Sequence, residues 1–557
     1  MKRQLEQLSD KEYDILVIGG GIFGLFIAWD GALRGLSVAL IDKGDFGGAT
    51  SSNSLRIIHG GFRHLQSLDL WNSRRSIKEQ RIFMKLAPHL VSPMPVIIPM
   101  YSNNFLKNKS FAAAVRVYDL LGIGLGESKQ SGLEKFNNRV ISREECIKMI
   151  PDIEKNNLSG GILFTDCQLS NSERLSIQVA SSAFKEGAHL ANYVEALSLI
   201  IKDNKVKGAA VRDNLTGDEF EIRARVTVNS TGPWLNHLLS RLDNDYSVEG
   251  YGILKAFNVL INRDLTNGYA LGLNSQINSP EKANLLSKSS RYLFITPWNG
   301  KSLIGTEYLL SNLDPDNFKV TREEISSFLD DINTSYPAVS LKTDDVEFVY
   351  GGFVPTYLDR NGKAKIGIKN HIHDHEKEQG LSGLFSATGN KYTEARIVAQ
   401  KTVDLVIRKM GKTLRPSNAE STTLNCNKFD ELEDYLNREI DKNKGLLHPS
   451  QTRKLIYTYG AAYGGVLKYI DRSKAGHLNN IDNDSLIKSQ IIYAIKEEMA
   501  QKLTDVIFRR TNLGLNFENL QNNLTQYSRI MAKELNWDDS RIKMEEDEVI
   551  SRFKIFN

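Results

Sequence analysis

The stretch Tyr13-Asp-Ile-Leu-Val-Ile-Gly-Gly-Gly-Ile-Phe-Gly24 joins a short apolar run to a cluster of glycines. The β-branched run is typical of a buried parallel strand, and a helix is expected from about 22 to 34. A second apolar run, 36–41, ends at Asp42 and has the same strand character. The chain therefore begins with a strand–helix–strand unit, which predicts an α/β fold around a Rossmann-like parallel sheet.

Three glycines of this stretch, Gly19, Gly21 and Gly24, match the G-x-G-x-x-G pattern of dinucleotide-binding turns. The first permits the tight turn, the second lets a pyrophosphate approach the backbone, and the third lets the helix and strand pack closely. Asp42 lies about 20 residues further on, where a carboxylate can accept hydrogen bonds from ribose hydroxyls. The pattern predicts a bound dinucleotide rather than a purely structural turn, but FAD and NAD share it.

The length, net charge and cysteine spacing restrict the possible classes of protein. The 557 residues suggest two or three domains, and the net charge of +4 does not indicate nucleic-acid binding, although phosphorylated small molecules need only local positive charge. Cys146, Cys167 and Cys426 lack metal-ligand or redox spacing, so we expect reduced thiols in a cytoplasmic protein and no metal. The apolar stretch 15–29 is too short and too glycine-rich to span a bilayer, so any membrane contact would be peripheral.

Further short segments of the sequence match segments of a known family. They are Asp45–Ser54, Ile57–Arg63, Ala87–Leu90, Val228–Trp234, Thr296–Trp298, Ile304–Thr306, Gly389–Thr393 and Phe508–Thr511. In these segments and in their order the chain resembles the FAD-dependent glycerol-3-phosphate dehydrogenases and oxidases over nearly its whole length. The resemblance implies that the dinucleotide is FAD.

Three domains are expected, of which the first two interleave. We predict a discontinuous FAD-binding domain, a mixed-sheet α+β substrate domain and a C-terminal helical domain. The FAD-binding domain comprises 13–90, 170–235 and 355–412. The substrate domain comprises 91–169 and 236–354, and the helical domain comprises 428–557.

The resemblance also implies which residues contact FAD. Hydroxyl groups would meet the pyrophosphate or the flavin side, a strand residue would lie against the adenine, and two glycine turns would lie beneath the pyrophosphate and at the isoalloxazine end. The hydroxyl groups belong to Thr50, Ser51 and Ser52, and the strand residue is Val194. Thr231 and Gly232 would lie beneath the pyrophosphate, and Gly389 and Asn390 at the isoalloxazine end. The alternatives are a solvated serine loop, ordinary strand core and structural glycine turns.

Oxidation of a secondary alcohol needs a hydride acceptor and a base that removes the hydroxyl proton. His59 matches a histidine that the family places beside the flavin, although a histidine after two isoleucines is often structural. Arg63, Lys391 and Lys255 match cationic positions suited to a substrate phosphate, the alternative being ordinary surface charge.

The substrate pocket departs from the family pattern at three positions. His64 replaces a tyrosine, Asn258 replaces a histidine, and Val354 stands where an arginine would hold the substrate. The loss of one charge-assisted contact costs on the order of 2–4 kcal/mol, enough to change the preferred substrate. Arg56 and His64, from one loop, are the candidates to compensate.

The leading hypothesis is an FAD-dependent dehydrogenase that oxidises glycerol 3-phosphate, a related polyol or a derivative, and passes electrons to quinone or another acceptor. The alternatives are an enzyme acting on a different hydroxy acid or amine, an oxidase that reduces oxygen, and a flavin-binding subunit with weakened catalysis. Phe105–Leu125 has the composition of an interfacial helix at the cytoplasmic membrane face, or equally of an amphipathic core helix.

Overall fold

The computed structural model describes the chain except for residues 63–68, 102–104, 126–137, 243–245, 276–291, 312, 360–363, 366–370, 428, 430, 472–480 and 554–557. In chain order the described strands are β1 Glu12–Ile18, β2 Val38–Ile41, β3 Ile57–Ile58, β4 Val91–Met100, β5 Arg139–Ile141, β6 Gly160–Leu169, β7 His189–Ala191, β8 Val194–Lys202, β9 Lys205–Asp213, β10 Glu219–Asn229, β11 Tyr251–Ile261, β12 Ala270–Asn274, β13 Tyr292–Trp298, β14 Lys301–Leu310, β15 Val346–Leu358, β16 Ala364–Lys365, β17 Ile372–Asp374 and β18 Leu384–Ala387. The described α-helices are α1 Glu6–Ser9, α2 Ile22–Leu33, α3 Leu70–Leu86, α4 Phe105–Gly122, α5 Arg143–Met149, α6 Ser172–Lys185, α7 Leu235–Leu239, α8 Arg322–Ser335, α9 His375–Gln379, α10 Tyr392–Lys409, α11 Leu432–Lys442, α12 Pro449–Tyr459, α13 Tyr463–Val466, α14 Asn483–Glu498, α15 Leu503–Asp505, α16 Phe517–Leu535 and α17 Asp539–Ser551.

The first sheet confirms the predicted Rossmann-like α/β fold. Its strands run in the order β17-β18-β10-β1-β2-β7, and β1 pairs in parallel with both β2 and β10. Helices α2, α6 and α10 contribute to the hydrophobic core on one face, whereas β8, β9 and α7 contribute to the core on the other. Because both faces are covered, β2 is buried along its whole length, as its apolar sequence predicts.

Strand β10 is continuous through two charged residues. It spans Glu219–Asn229 and includes Arg223 and Arg225. Arg223 and Arg225 lie exposed on alternate positions, while the residues between and beside them are buried. The charged residues that interrupt the apolar pattern therefore occupy the solvent face of the strand rather than a turn.

The second sheet confirms the predicted mixed architecture. Its strand order is β16-β15-β11-β14-β13-β12-β4-β6-β3; β12 pairs in parallel with β4, and the other pairs along this path are antiparallel. Helix α8 begins at a capping box formed by Thr321 and Glu324 and buries its apolar side against this sheet. Strand β3 lies within the segment 13–90, yet it belongs to this second sheet.

The helices after Leu432 form two hydrophobic clusters of their own. These helices include α12 and α14, and α14 ends where Met499 adopts a left-handed conformation. Within the described residues, no helix has the length and apolarity needed to cross a bilayer.

Candidate active site

One cavity of about 1580 Å³ is lined by residues of both sheets and of the C-terminal helices. The glycine turn after β1 lines it, as do His59 beside β3 and Val354 on β15. The predicted dinucleotide turn and the predicted substrate residues therefore share one space.

The glycines of the turn after β1 allow neighbouring backbone to approach closely. Gly19 has φ +106°, and a Cβ there would lie 2.5 Å from the carbonyl oxygen of Ser230. A Cβ on Gly24 would lie 1.9 Å from the carbonyl oxygen of Gly19, so Gly24 allows α2 to pack on the turn without itself lining the cavity. Gly21 lines the cavity and precedes the first residue of α2, Ile22. The positive end of the helix dipole therefore faces a space that suits an anionic pyrophosphate.

Asp42 lies at the end of β2 and lines the same cavity. Its carboxylate accepts hydrogen bonds from the amides of Gly20 at 2.6 Å and Gly44 at 2.8 Å, and burial raises the pKa of this carboxyl above its usual value. Val194 is buried and lines the cavity nearby, but its amide donates to the carbonyl of Asp42 at 2.8 Å. An adenine edge would therefore meet the carbonyl or the side chain of Val194.

The hydroxyl groups of Thr50, Ser51 and Ser52 do not all face the cavity. Thr50 and Ser51 line the cavity; Thr50 donates to the carbonyl of Phe353 at 2.6 Å, and Ser51 accepts from the amide of Ile22 at 3.0 Å. Ser52 is buried and not among the lining residues, and its hydroxyl is within hydrogen-bonding distance of two carbonyls of its own loop. Contrary to the sequence prediction, Ser52 shapes the loop instead of facing the cofactor space.

Thr231, Gly232, Gly389 and Asn390 all line the cavity. Gly232 has φ +54°, a conformation that glycine adopts without strain. A Cβ on Gly389 would lie 2.1 Å from the ring of Phe23, so a larger residue there would displace that ring.

His59 is oriented by a carboxylate that the sequence did not reveal. The Nδ1 atom of His59 lies 3.0 Å from Asp166 Oδ2, while Asp166 Oδ1 accepts hydrogen bonds from Gly60 N and Gln80 Nε2, each at 2.6 Å. A carboxylate at Nδ1 holds the proton on that nitrogen and leaves Nε2 as the acceptor. Asp166 is a buried charge in the otherwise mainly apolar strand β6, and that anomaly was its only sequence signal.

Lys391 shares a carboxylate with a second histidine. Its Nζ lies 3.8 Å from Glu394 Oε1, and His371 Nε2 lies 3.8 Å from Glu394 Oε2. Burial lowers the pKa of His371, with Glu394 opposing, so at neutral pH the imidazole is mainly uncharged. Lys391 and Glu394 both line the cavity.

Two of the departing residues lie on the second sheet and line the cavity. Asn258 is buried; its Oδ1 accepts from Thr306 Oγ1 at 2.7 Å, and its Nδ2 donates to the carbonyl of Asn53 at 3.1 Å. Val354 lies opposite Leu254 in the β11–β15 pairing and presents an isopropyl group. Arg63 and His64 lie outside the described residues.

Arg56 does not replace the missing arginine. Its guanidinium donates to both carboxylate oxygens of Glu173, at 2.8 and 2.7 Å, and stacks 4.4 Å from the ring of Trp298. Burial disfavours this charge, but the pairing with Glu173 outweighs it and raises the pKa of Arg56. The charge is thus already neutralised inside the protein.

Lys255 also has a structural partner. It is 4% exposed, its Nζ contacts both carboxylate oxygens of Glu324, and it is not among the residues that line the cavity. Contrary to the sequence prediction, Lys255 joins β11 to the start of α8 and does not face the substrate space.

The comparisons with known proteins fit this geometry. A family model described as FAD-dependent oxidoreductase matches residues 14–405, and one described as the C-terminal domain of alpha-glycerophosphate oxidase matches residues 417–542. The glycine turn, the start of α2 and the carboxylate of Asp42 are the features of a dinucleotide-binding turn and fit FAD. The fold and the site therefore define an FAD-dependent oxidoreductase.

Relatives narrow the class to a family. A glycerol-3-phosphate dehydrogenase of Synechocystis sp. is 31% identical over 519 residues, which cover 92% of this chain and 91% of that protein. The aerobic glycerol-3-phosphate dehydrogenase of Staphylococcus haemolyticus is 26% identical, covering 95% and 91%. In fold, the chain is similar to the FAD-complexed glycerol-3-phosphate dehydrogenase of Bacillus halodurans, with a TM-score of 0.77, 24% identity and coverage of 99% and 96%. The chain belongs to the FAD-dependent glycerol-3-phosphate dehydrogenase family.

Proposed function

We propose that this enzyme oxidises the secondary alcohol of glycerol 3-phosphate, or of a related polyol or derivative, to the ketone. The observation that carries the proposal is the placement of His59, held by Asp166, on the same cavity as the glycine turn. The His59 side chain is 40% exposed, so a substrate hydroxyl can reach it.

Oxidation of the alcohol removes a hydride from carbon and a proton from oxygen. FAD, when bound, supplies the acceptor for the hydride that leaves the carbinol carbon with two electrons. His59 takes the hydroxyl proton at Nε2, and the carboxylate of Asp166 stabilises the imidazolium that forms. Both hydrogens of the alcohol are then accounted for, and the product is a ketone.

Recognition of an anionic substrate rests on fewer cations than in the family pattern. Lys391 lines the cavity, and the resemblance assigns Arg63 to the same role, whereas Val354 contributes no charge. The proposed substrate class therefore includes derivatives in which an apolar group occupies the space beside Val354.

Anaerobic mixing of the FAD-loaded enzyme with a panel of compounds tests the reaction class. The panel is glycerol 3-phosphate, a glycerol 3-phosphate ester that carries an apolar group, glycerol, a 2-hydroxy acid and an amino acid, and the measurement is loss of the flavin absorbance. We expect reduction by a polyol phosphate or its derivative. Reduction by the hydroxy or amino acid alone would favour the alternative substrates, and reduction by none would favour a subunit with weakened catalysis. Rapid reoxidation in air would identify an oxidase.

A quinone acceptor would place the enzyme peripherally on the cytoplasmic membrane face, and a surface patch supports this. Trp71 is 78% exposed, and Leu120 and Ile123 are exposed as well. Arg74 connects the two segments, since its NH1 atom donates to the carbonyl of Leu121 at 2.8 Å. Exposed aromatic and aliphatic groups beside an arginine suit the interface of an anionic bilayer.

Substitution of Trp71 by glutamate tests this contact. We expect Trp71→Glu to weaken co-sedimentation with anionic phospholipid vesicles about tenfold or more, because a large apolar side chain no longer enters the interface. Leu310→Glu is the matched control, since Leu310 is 60% exposed on β14. Equal vesicle binding by both variants and the natural protein would contradict this contact.

A further inference from the structure

The C-terminal helices contribute side chains to the cavity wall. The lining residues from this region include Lys502, Thr504, Arg509 and Trp537. Tyr193, which also lines the cavity, contacts this region: its hydroxyl donates to Asp505 Oδ1 at 2.6 Å, and Lys502 Nζ is 5.8 Å from its ring centre. The C-terminal region therefore borders the part of the cavity where β2 ends and β8 begins.

The buried carboxylate of Asp45 joins the loop that follows β2 to the C-terminal helices. Asp45 Oδ2 accepts from Arg509 Nε at 2.6 Å and from Arg510 NH1 at 2.5 Å, and Asp45 Oδ1 accepts from Arg510 NH2 at 2.8 Å. Burial opposes the charge of Asp45, but Arg510 and Arg509 outweigh it and hold the pKa of the carboxyl below its usual value. Asp45 lies between Asp42 and Thr50 in sequence, so these arginines anchor the loop that carries both.

A second buried pair fixes the same interface. Arg174 on α6 donates to both carboxylate oxygens of Glu498 at 2.7 and 2.6 Å. Arg510 Nε donates to the carbonyl of Glu498 at 2.9 Å, which links the two ion pairs. Because an unpaired buried charge is strongly unfavourable, these pairs favour a single docked position of the C-terminal helices.

We propose that the C-terminal helices are part of the FAD site, forming its wall at the adenosine end, so that their docking and FAD binding stabilise each other. The glycine turn and Asp42 set the direction of the dinucleotide. Tyr193 and Arg509 lie at the end beyond Asp42, where they contact Asp505 and Asp45, and Trp537 lines the same cavity. A ligand that contacts the docked arrangement and not the undocked one stabilises docking by mass action. This inference rests on FAD as the cofactor and not on the identity of the alcohol.

The first test measures the dissociation constant of FAD for the deflavinated full-length protein by flavin fluorescence. We expect Trp537→Leu and Arg509→Gln each to raise Kd roughly tenfold or more, since one removes an aromatic wall and the other releases Asp45. Tyr457→Leu is the matched control for the first, being an aromatic change on α12 outside the cavity wall. Arg396→Gln is the control for the second, because Arg396 is buried and paired with Glu79 at 2.7 Å but does not line the cavity.

The second test uses limited proteolysis of the natural protein with and without FAD. We expect FAD to slow cleavage within residues 417–557 by about tenfold or more, because the bound cofactor holds these helices docked. If Arg509→Gln does not fold, Trp537→Leu decides the affinity test. An unchanged Kd for Trp537→Leu, or equal cleavage with and without FAD, would overturn the proposal.

Discussion

Replacing His59 by asparagine is expected to leave the FAD absorption spectrum intact and to slow flavin reduction by the substrate roughly 10²–10⁴-fold, the usual contribution of a positioned base. Asparagine retains a polar group but does not accept a proton near neutral pH. The measurement is the single-turnover rate of flavin bleaching in an anaerobic stopped-flow experiment, with the bound FAD of each variant determined beforehand.

His448→Asn is the control for this substitution. His448 is exposed at the start of α12, where its side chain accepts a hydrogen bond from Ser450 N and where asparagine is also a good cap. We expect its rate to equal that of the natural enzyme. Asp166→Asn should slow reduction less than His59→Asn does, because Asp166 acts through the histidine. An unchanged rate in His59→Asn would make His59 structural and turn attention to His64.

The cofactor end of the site could be predicted because its information is local. The turn glycines, Asp42 and Ser51 lie within one stretch of 33 residues, from Gly19 to Ser51, and hydrogen bonds within that stretch, from Gly20 N to Asp42 and from Ile22 N to Ser51, hold them together. Thr50 belongs to the same stretch, but its hydroxyl donates to Phe353 of the distant strand β15.

The partners of the charged residues could not be predicted, because they come from distant parts of the chain. Asp166 is 107 residues from His59, and Glu173 is 117 residues from Arg56. Sequence alone does not distinguish a cation that faces a ligand from one neutralised by such a partner. That is why Arg56 and Lys255 looked like substrate cations, although each is paired with a glutamate inside the protein.

Val354→Arg is expected to raise kcat/KM for glycerol 3-phosphate by a factor of tens to hundreds, corresponding to one charge-assisted contact of about 2–4 kcal/mol. The new guanidinium would extend from β15 into the cavity, where the family pattern has an arginine. The same change should impair the natural substrate if an apolar group occupies this space, because a buried guanidinium without an anion is costly. The measurement is steady-state kinetics with an artificial electron acceptor.

Val354→Leu separates the effect of size from that of charge. It fills the same position with an apolar side chain, so it should not improve glycerol 3-phosphate oxidation. Altered specificity also requires glycerol 3-phosphate to be a poor substrate of the natural enzyme. Turnover by that enzyme at a kcat/KM of about 10⁴ M⁻¹s⁻¹ or better would refute altered specificity. Lys391, with Arg63, would then bind the phosphate without a third cation, and Val354 would be a substitution that the phosphate site tolerates.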